Sequence, residues 1–249
     1  MTGPRTLAVD VGGTGIKATV FSGDGSPVGE VRRIDTPYPC PPERLASAIV
    51  ALAGSLPTAD RLGLGFPGLI RSGRVVWVNS LTRAQPGGPA DPGLAEQWTG
   101  FPLQEFLSGA MGLPTLVAND ADVHALASVQ GRGMECVVTL GTGLGFSLVL
   151  DGTLLPHLEF GGVHFGGGRD YDTVLGQGGL DADGIDAWRS HVSVMVESLR
   201  SFVYFDHLYL GGGNARLLDA RTLGPAVTTV DNVNGLLGGH LLWASTAPE

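Results

Sequence analysis

Basic residues are scarce in this chain: 15 Lys and Arg stand against 24 Asp and Glu, for a formal net charge of −9 over 249 residues. Phosphate-backbone binding needs clustered cations, so a nucleic-acid surface is excluded as the main function. Cysteine is nearly absent: Cys40 and Cys136 lie far apart with no metal-like spacing, which excludes a disulfide framework and a cysteine-based zinc site. Long uncharged apolar runs are missing too, because Asp10 interrupts the N-terminal one. Neither a signal peptide nor a membrane span is expected, and the simplest location is the cytoplasm. What the chain does have is 43% hydrophobic residues and 40 glycines, enough to bury one large core or two modest ones.

The glycines are not evenly spread. The stretch Leu7-Ala8-Val9-Asp10-Val11-Gly12-Gly13-Thr14-Gly15-Ile16-Lys17 runs from an apolar segment through an Asp into a glycine turn and back into an apolar segment. That pattern reads as a β-hairpin. Glycine lets backbone N–H groups approach a phosphate closely, and an Asp at the mouth can hold Mg²⁺ directly or through water. A plain β-turn is the other reading, since neither G-x-x-x-x-G-K-[ST] nor G-x-G-x-x-G is present. A second loop of the same kind stands at Leu140-Gly141-Thr142-Gly143-Leu144-Gly145-Phe146, again between apolar runs. One strand, glycine turn and strand per half predicts a duplicated, two-lobed architecture.

In chain order, a third strand is expected near Val28–Thr36, a helix over Glu43–Leu56, strands at Arg61–Phe66 and Val75–Val78, and a Gly/Pro-rich surface loop over Ser80–Glu96. A helix over Pro102–Met111 ended by Gly112, a strand at Leu116–Val117 and a helix from Ala121 to Val129 follow. In the second half, Phe160–Gly179 is too rich in glycine to be regular, Ile185–Phe202 carries helical spacing, Phe205–Leu210 is a strand, and a terminal helix closes the chain between Val230 and Ala244. Its pair Gly238-Gly239 weakens that helix by about 1 kcal/mol per residue. Trp98 and Trp188 read as packing residues.

Six short motifs in order, Asp10-Val11-Gly12-Gly13-Thr14, Gly65-Phe66-Pro67-Gly68, Asn119-Asp120-Ala121-Asp122, Gly141-Thr142-Gly143-Leu144-Gly145, Glu159-Phe160-Gly161 and Gly211-Gly212-Gly213, resemble those of the ROK sugar kinases, across nearly the whole chain. Within that family the resemblance is to the polyphosphate glucokinases and similar short members. The Cys-rich zinc motif of longer ROK enzymes is missing, so no zinc is expected, and the helix-turn-helix of ROK repressors is missing as well. The resemblance implies an α/β fold, the two-lobed, duplicated ribonuclease H-like (actin/hexokinase-like) fold with an interlobe cleft. Its N-terminal lobe would be residues 1–117 rejoined by the terminal helix 233–249, and its C-terminal lobe residues 118–232. It further implies a homodimer and transfer of a terminal phosphate from ATP or polyphosphate to the hydroxyl of a glucose-like sugar, with Mg²⁺.

The resemblance also assigns roles. Asp120 becomes the general base; the plain alternative is that it caps the helix that follows. Gly12, Gly13 and Thr14 would hold the transferred phosphate, Gly141, Thr142, Gly143 and Gly145 the inner phosphates, Asp10 the Mg²⁺, and Gly211, Gly212 and Gly213 an adenosine. A glycine run after a strand is also a common helix entry. Lys17 either reaches a phosphate or is solvated. Asn79, Asn119, Asp120 and Glu159 would bind the sugar, because amides and carboxylates make paired hydrogen bonds to vicinal hydroxyls. The usual Glu-x-Gly-His is here Glu159-Phe160-Gly161-Gly162. That leaves His164 either as a substitute ligand or as a structural or solvated residue. A non-catalytic sugar or nucleotide sensor, and a kinase for an amino sugar or another small acceptor, are the alternatives.

Overall fold

The computed structural model describes residues 3–230 and 235–245. The alternating N-terminal run forms the hairpin β1 (Thr6–Val11) and β2 (Gly15–Phe21), antiparallel from Thr6–Phe21 to Val11–Ile16. β3 (Arg32–Asp35) extends it, shorter than the strand expected over Val28–Thr36. Helix α1 (Pro42–Ala53) buries Leu45, Ile49 and Leu52, one apolar stripe at helical spacing, and leads into β4 (Arg61–Phe66). A small hairpin, β5 (Gly68–Arg71) and β6 (Arg74–Val78), comes next.

The expected loop over Ser80–Glu96 is only partly a loop. A single 3₁₀ turn covers Ser80–Thr82, and α2 (Pro92–Trp98) begins where Asp91 accepts the N–H groups of Gly93 and Leu94 at 2.8 and 3.3 Å, with Pro92 at the first helical position. Trp98 at the end of α2 is buried and donates its indole N–H to the carbonyl of Cys40 at 2.9 Å. α3 (Leu103–Met111) ends at Gly112 with φ +64°, and β7 (Thr115–Asn119) runs directly into α4 (Asp120–Leu126).

The first sheet has the order β3-β2-β1-β4-β7, with β1, β4 and β7 parallel. Its residues alternate between two faces. Val9, Val11, Ile16, Ala18, Leu64 and Phe66 join the core that includes Leu45 and Leu103, while Ala8 and Phe21 pack on the other side with Leu236.

The second set of strands repeats the first. β8 (Met134–Leu140) and β9 (Leu144–Leu150) form the hairpin and β10 (Thr153–Leu154) extends it. The stretch expected to be irregular over Phe160–Gly179 instead carries a 3₁₀ turn at Phe160–Gly162, the short hairpin β11 (His164–Gly166) and β12 (Arg169–Asp170), then α5 (Tyr171–Leu175) and α6 (Gln177–Asp183). Helix α7 (Ile185–Phe202) buries Trp188, Val192, Met195, Val196 and Leu199, and β13 (His207–Gly211) and β14 (Val227–Thr229) complete the order β10-β9-β8-β13-β14. Antiparallel and parallel neighbours fall at the same places as in the first sheet, as the repeated sequence pattern predicts.

α8 (Gly235–Ser245) is the described part of the terminal helix expected over 233–249; residues 231–234 and 246–249 lie outside the described ones. Two compact units result, Met1–Ala127 with Asn234–Glu249, and Ser128–Val233. The division follows Ala127 rather than residue 117, because β7 pairs with β4 and Gly65 carries the start of α4. Among the described residues no helix is long and apolar enough to cross a membrane.

Candidate active site

In the first unit the pairing of β1 with β2 closes at Val11–Ile16, and Gly12 N–H donates to Gly15 O at 2.9 Å across the turn. The turn's carbonyls are all engaged. Gly12 O accepts from the Thr36 hydroxyl at 2.6 Å, Gly13 O from the Tyr38 hydroxyl at 2.7 Å, and Thr14 O from Arg33 Nη2 at 3.3 Å. The N–H groups of Gly13 and Thr14 donate to no acceptor among the described residues. Two adjacent unpaired amides on a pinned glycine turn are donors of the kind an anion can accept from.

Asp10, at the end of β1, stands opposite Lys17 on β2 and Gly65 on β4. A Cβ at Gly65 would lie 3.4 Å from the Cα of Asp120, so the start of α4 rests on the sheet beside Asp10. The capping role falls to Asn119, whose buried Oδ1 accepts the N–H groups of Ala121 and Asp122 at 2.8 and 3.3 Å and whose Nδ2 donates to Gly68 O at 3.1 Å. Asp120 takes the Ala121 N–H on Oδ1 at 2.9 Å and is half-buried.

One turn further along α4, His124 Nε2 lies 3.6 Å from Asp10 Oδ1. Burial works against the charged imidazole, but the contact with Asp10 and the charges of Asp10 and Asp120 outweigh it and raise its pKa, with Lys17 opposing. His124 escapes a sequence reading, although its position four residues after Asp120 puts both on one helix face.

Asn79 is exposed and accepts from Arg83 Nη2 at 2.9 Å. It follows Val78, the strand partner of Gly68, so the β5–β6 hairpin carries both Asn79 and the carbonyl that anchors Asn119.

In the second unit the pairing of β8 with β9 closes at Leu140–Leu144, one residue tighter, with Gly141 N–H donating to Gly143 O at 3.0 Å. Leu140 O accepts from Asn214 N at 3.0 Å and Gly141 O from Gln177 N at 2.8 Å. The Leu144 N–H donates to Asp172 Oδ1 at 2.7 Å, and the carboxylate fills the space that a Cβ at Gly143 would need. The N–H groups of Thr142 and Gly143 have no acceptor among the described residues. Gly145 lies outside the turn, in β9 opposite Thr139.

The glycine run meets the same turn. Gly211 ends β13, and Gly212 has φ +84° and packs so tightly on Leu140 that a Cβ would overlap its carbonyl. A Cβ at Gly213 would meet nothing within 4 Å. A 3₁₀ turn at Ala215–Leu217 follows, the structural role open to such a run.

Glu159 is exposed, and its Oε1 lies 3.3 Å from Nε2 of His157, which is buried. His164 is exposed on β11 opposite Asp170, with no contact to Glu159 among the described residues. The imidazole beside Glu159 is therefore His157, two residues before it rather than five after.

A sequence model of the ROK family matches residues 6–158. The chain is similar to the polyphosphate glucokinase of Mycobacterium tuberculosis, at 26% identity over 94% of this chain and 89% of that one. It is also similar to an N-acetylmannosamine kinase of Escherichia coli, at 34% identity over 60% of this chain and 49% of that one. Among solved structures, the inorganic polyphosphate/ATP-glucomannokinase of Arthrobacter sp. strain KM superposes with a TM-score of 0.76, at 26% identity over 97% of this chain and 99% of that one. The repeated mixed sheets are those of the actin/hexokinase-like fold, and the chain belongs to the ROK family.

Proposed function

We propose that this protein is a sugar kinase that moves the terminal phosphate of polyphosphate or ATP onto a hydroxyl of a glucose-like hexose. The observation that carries the reading is the conjunction in the first unit of a pinned turn with two unpaired amides, Asp10, and Asp120 at the start of α4. A module that only bound a sugar would have no use for a base there.

Phosphoryl transfer is mostly positioning and charge stabilisation. Asp120 accepts the proton of the attacking hydroxyl as the oxygen–phosphorus bond forms and the bond to the donor breaks. The Gly13 and Thr14 amides take up charge on the transferred group, with Gly12 shaping the turn. The unpaired Thr142 and Gly143 amides serve the donor's inner phosphates, with Gly141 closing that turn and Gly145 holding the strand beside it, and Gly211, Gly212 and Gly213 lie against the adenosine when ATP is used. Asn79, Asn119 and Glu159 orient the sugar, Asn119 with its remaining amide hydrogen. His157 sets the Glu159 carboxylate in the role the sequence left open for His164.

Magnesium fits this donor set. Among the described residues no group of three or more His, Cys, Asp or Glu gathers into a cage, and Mg²⁺ needs none, since one or two carboxylates plus substrate phosphates suffice. Asp10 is the carboxylate that would hold it, and when bound it neutralises donor charge. A homodimer in the cytoplasm completes the reading.

The test is phosphoryl transfer to a panel of hexoses and amino sugars with both donors. Asp120→Ala should lower kcat by about 10²- to 10⁴-fold, the usual share of a general base, while sugar binding by calorimetry persists. Wild-type turnover by Asp120→Ala would remove the mechanism, and binding without turnover in the wild type would make the protein a sensor. The amino sugars belong on the panel because of the N-acetylmannosamine kinase likeness.

A further inference from the structure

Lys17 is the single lysine among 15 basic residues. It faces Asp10 on one side and Arg33 on the other in the β1–β2–β3 ladder, so the three charges form one row on one face, ending at the edge strand. Like charges directly opposite on neighbouring strands are destabilising, and both cations are exposed. The arginine nevertheless stays on the phosphate turn. Its Nη2 donates to Thr14 O at 3.3 Å, and the guanidinium lies over Gly15 so closely that a Cβ there would come within 2.7 Å of Nε and Nη2. Its other neighbour, Asp35 at 3.4 Å, is 87% exposed, a surface pair of little strength.

We propose that Arg33 and Lys17 bind the phosphates of the donor that follow the transferred one, and that they favour a linear polyphosphate over a nucleoside triphosphate. This rests on the kinase reading above. The row spans two strand spacings, about 10 Å from Asp10 to Arg33. A triphosphate ends in an uncharged nucleoside soon after it leaves the turn, whereas a polyphosphate carries charge along its whole length. Arg33 offers a planar fork for bidentate phosphate contact, and Lys17 a compact, mobile point charge. In a chain of net charge −9, a polyanion can settle only where cations are gathered.

The experiment compares Arg33→Gln, Lys17→Gln and Arg33→Lys with the wild type, using long-chain polyphosphate and ATP as donors and glucose as acceptor. For Arg33→Gln the ratio of kcat/KM with polyphosphate to that with ATP should fall about ten- to a hundredfold, the range of a charge-assisted hydrogen bond. The loss should appear mainly in KM, with partial recovery in Arg33→Lys. Calorimetric titration of polyphosphate into each protein gives the binding directly, and thermal melting shows that the variants are folded. An unchanged donor ratio in Arg33→Gln, or equal polyphosphate affinity in wild type and variant, overturns the proposal. Failure of the wild type with every sugar and both donors defeats the kinase reading instead, and the polyphosphate titrations still decide the role of Arg33.

Discussion

Cys40 and Cys136 are both fully buried, and burial pushes their thiols up to about 11 and about 12. The thiolate is the reactive form, so a folded sample at about pH 8 should leave both unmodified by a disulfide reagent until denaturant is added; rapid labelling of either in the native state would contradict the burial. His157 makes the sharper functional prediction. His157→Ala leaves Glu159 without its 3.3 Å partner, and a lost hydrogen bond of about 1 kcal/mol corresponds to roughly a five- to tenfold rise in sugar KM, with kcat changed less. Steady-state kinetics with the preferred sugar measure it, and His164→Ala should match the wild type. The residues that touch substrate in this reading, Asp10, the glycine turns, Asn119 and Asp120, are legible in sequence because each lies within a short contiguous motif. Those that hold them in place are not. Tyr38 reaches Gly13 across 25 residues and Asp172 reaches Leu144 across 28, and no local pattern marks such a pairing before the chain is folded.

At the scale of elements, α8 explains why a helix keeps glycines that lower its intrinsic propensity. A Cβ at Gly238 would overlap the Val123 carbonyl of α4, and one at Gly63 of β4 would overlap the Gly239 carbonyl. The helix lies so close to its neighbours that only hydrogen fits. Gly238→Ala should therefore destabilise by about 1–3 kcal/mol through overpacking despite the helix-propensity gain. Gly109→Ala in α3, where a Cβ meets nothing within 4 Å, should stabilise by about 0.5–1 kcal/mol. Denaturant midpoints of the two variants should move in opposite directions. Periodicity made α7 and β4 readable to the residue, since each carries one uninterrupted pattern. It failed where short elements are specified by caps and turns instead. The Asp91–Pro92 start of α2 is a capping signal inside a Gly/Pro-rich stretch, and α5 opens on Asp170 accepting the Thr173 N–H at 2.8 Å within glycine-rich surroundings.

On the scale of the whole molecule, the first unit is assembled from both parts of the chain, and α8 joins them at a histidine. His240 on α8 is buried, with Nδ1 3.2 Å from the Thr6 hydroxyl on β1 and its ring 5.8 Å from that of Phe21. Burial lowers its pKa below the ordinary 6.5, the charge of Arg61 adds to this, and Asp24 opposes it. The unfolded chain therefore binds a proton near pH 6.5 that the folded chain refuses until lower pH. Stability contributed by the neutral ring is full above the unfolded value and declines as pH falls below it. His124 shifts the opposite way, so the total curve mixes signs and only a difference isolates His240. Urea midpoints from about pH 8 to about pH 5.5 should fall more steeply for the wild type than for His240→Gln, whose amide keeps a donor for Thr6 and does not titrate. Parallel curves would mean that the imidazole protonates as readily in the folded protein as in the unfolded one, so that burial against Thr6 and Phe21 does not disfavour its charged form.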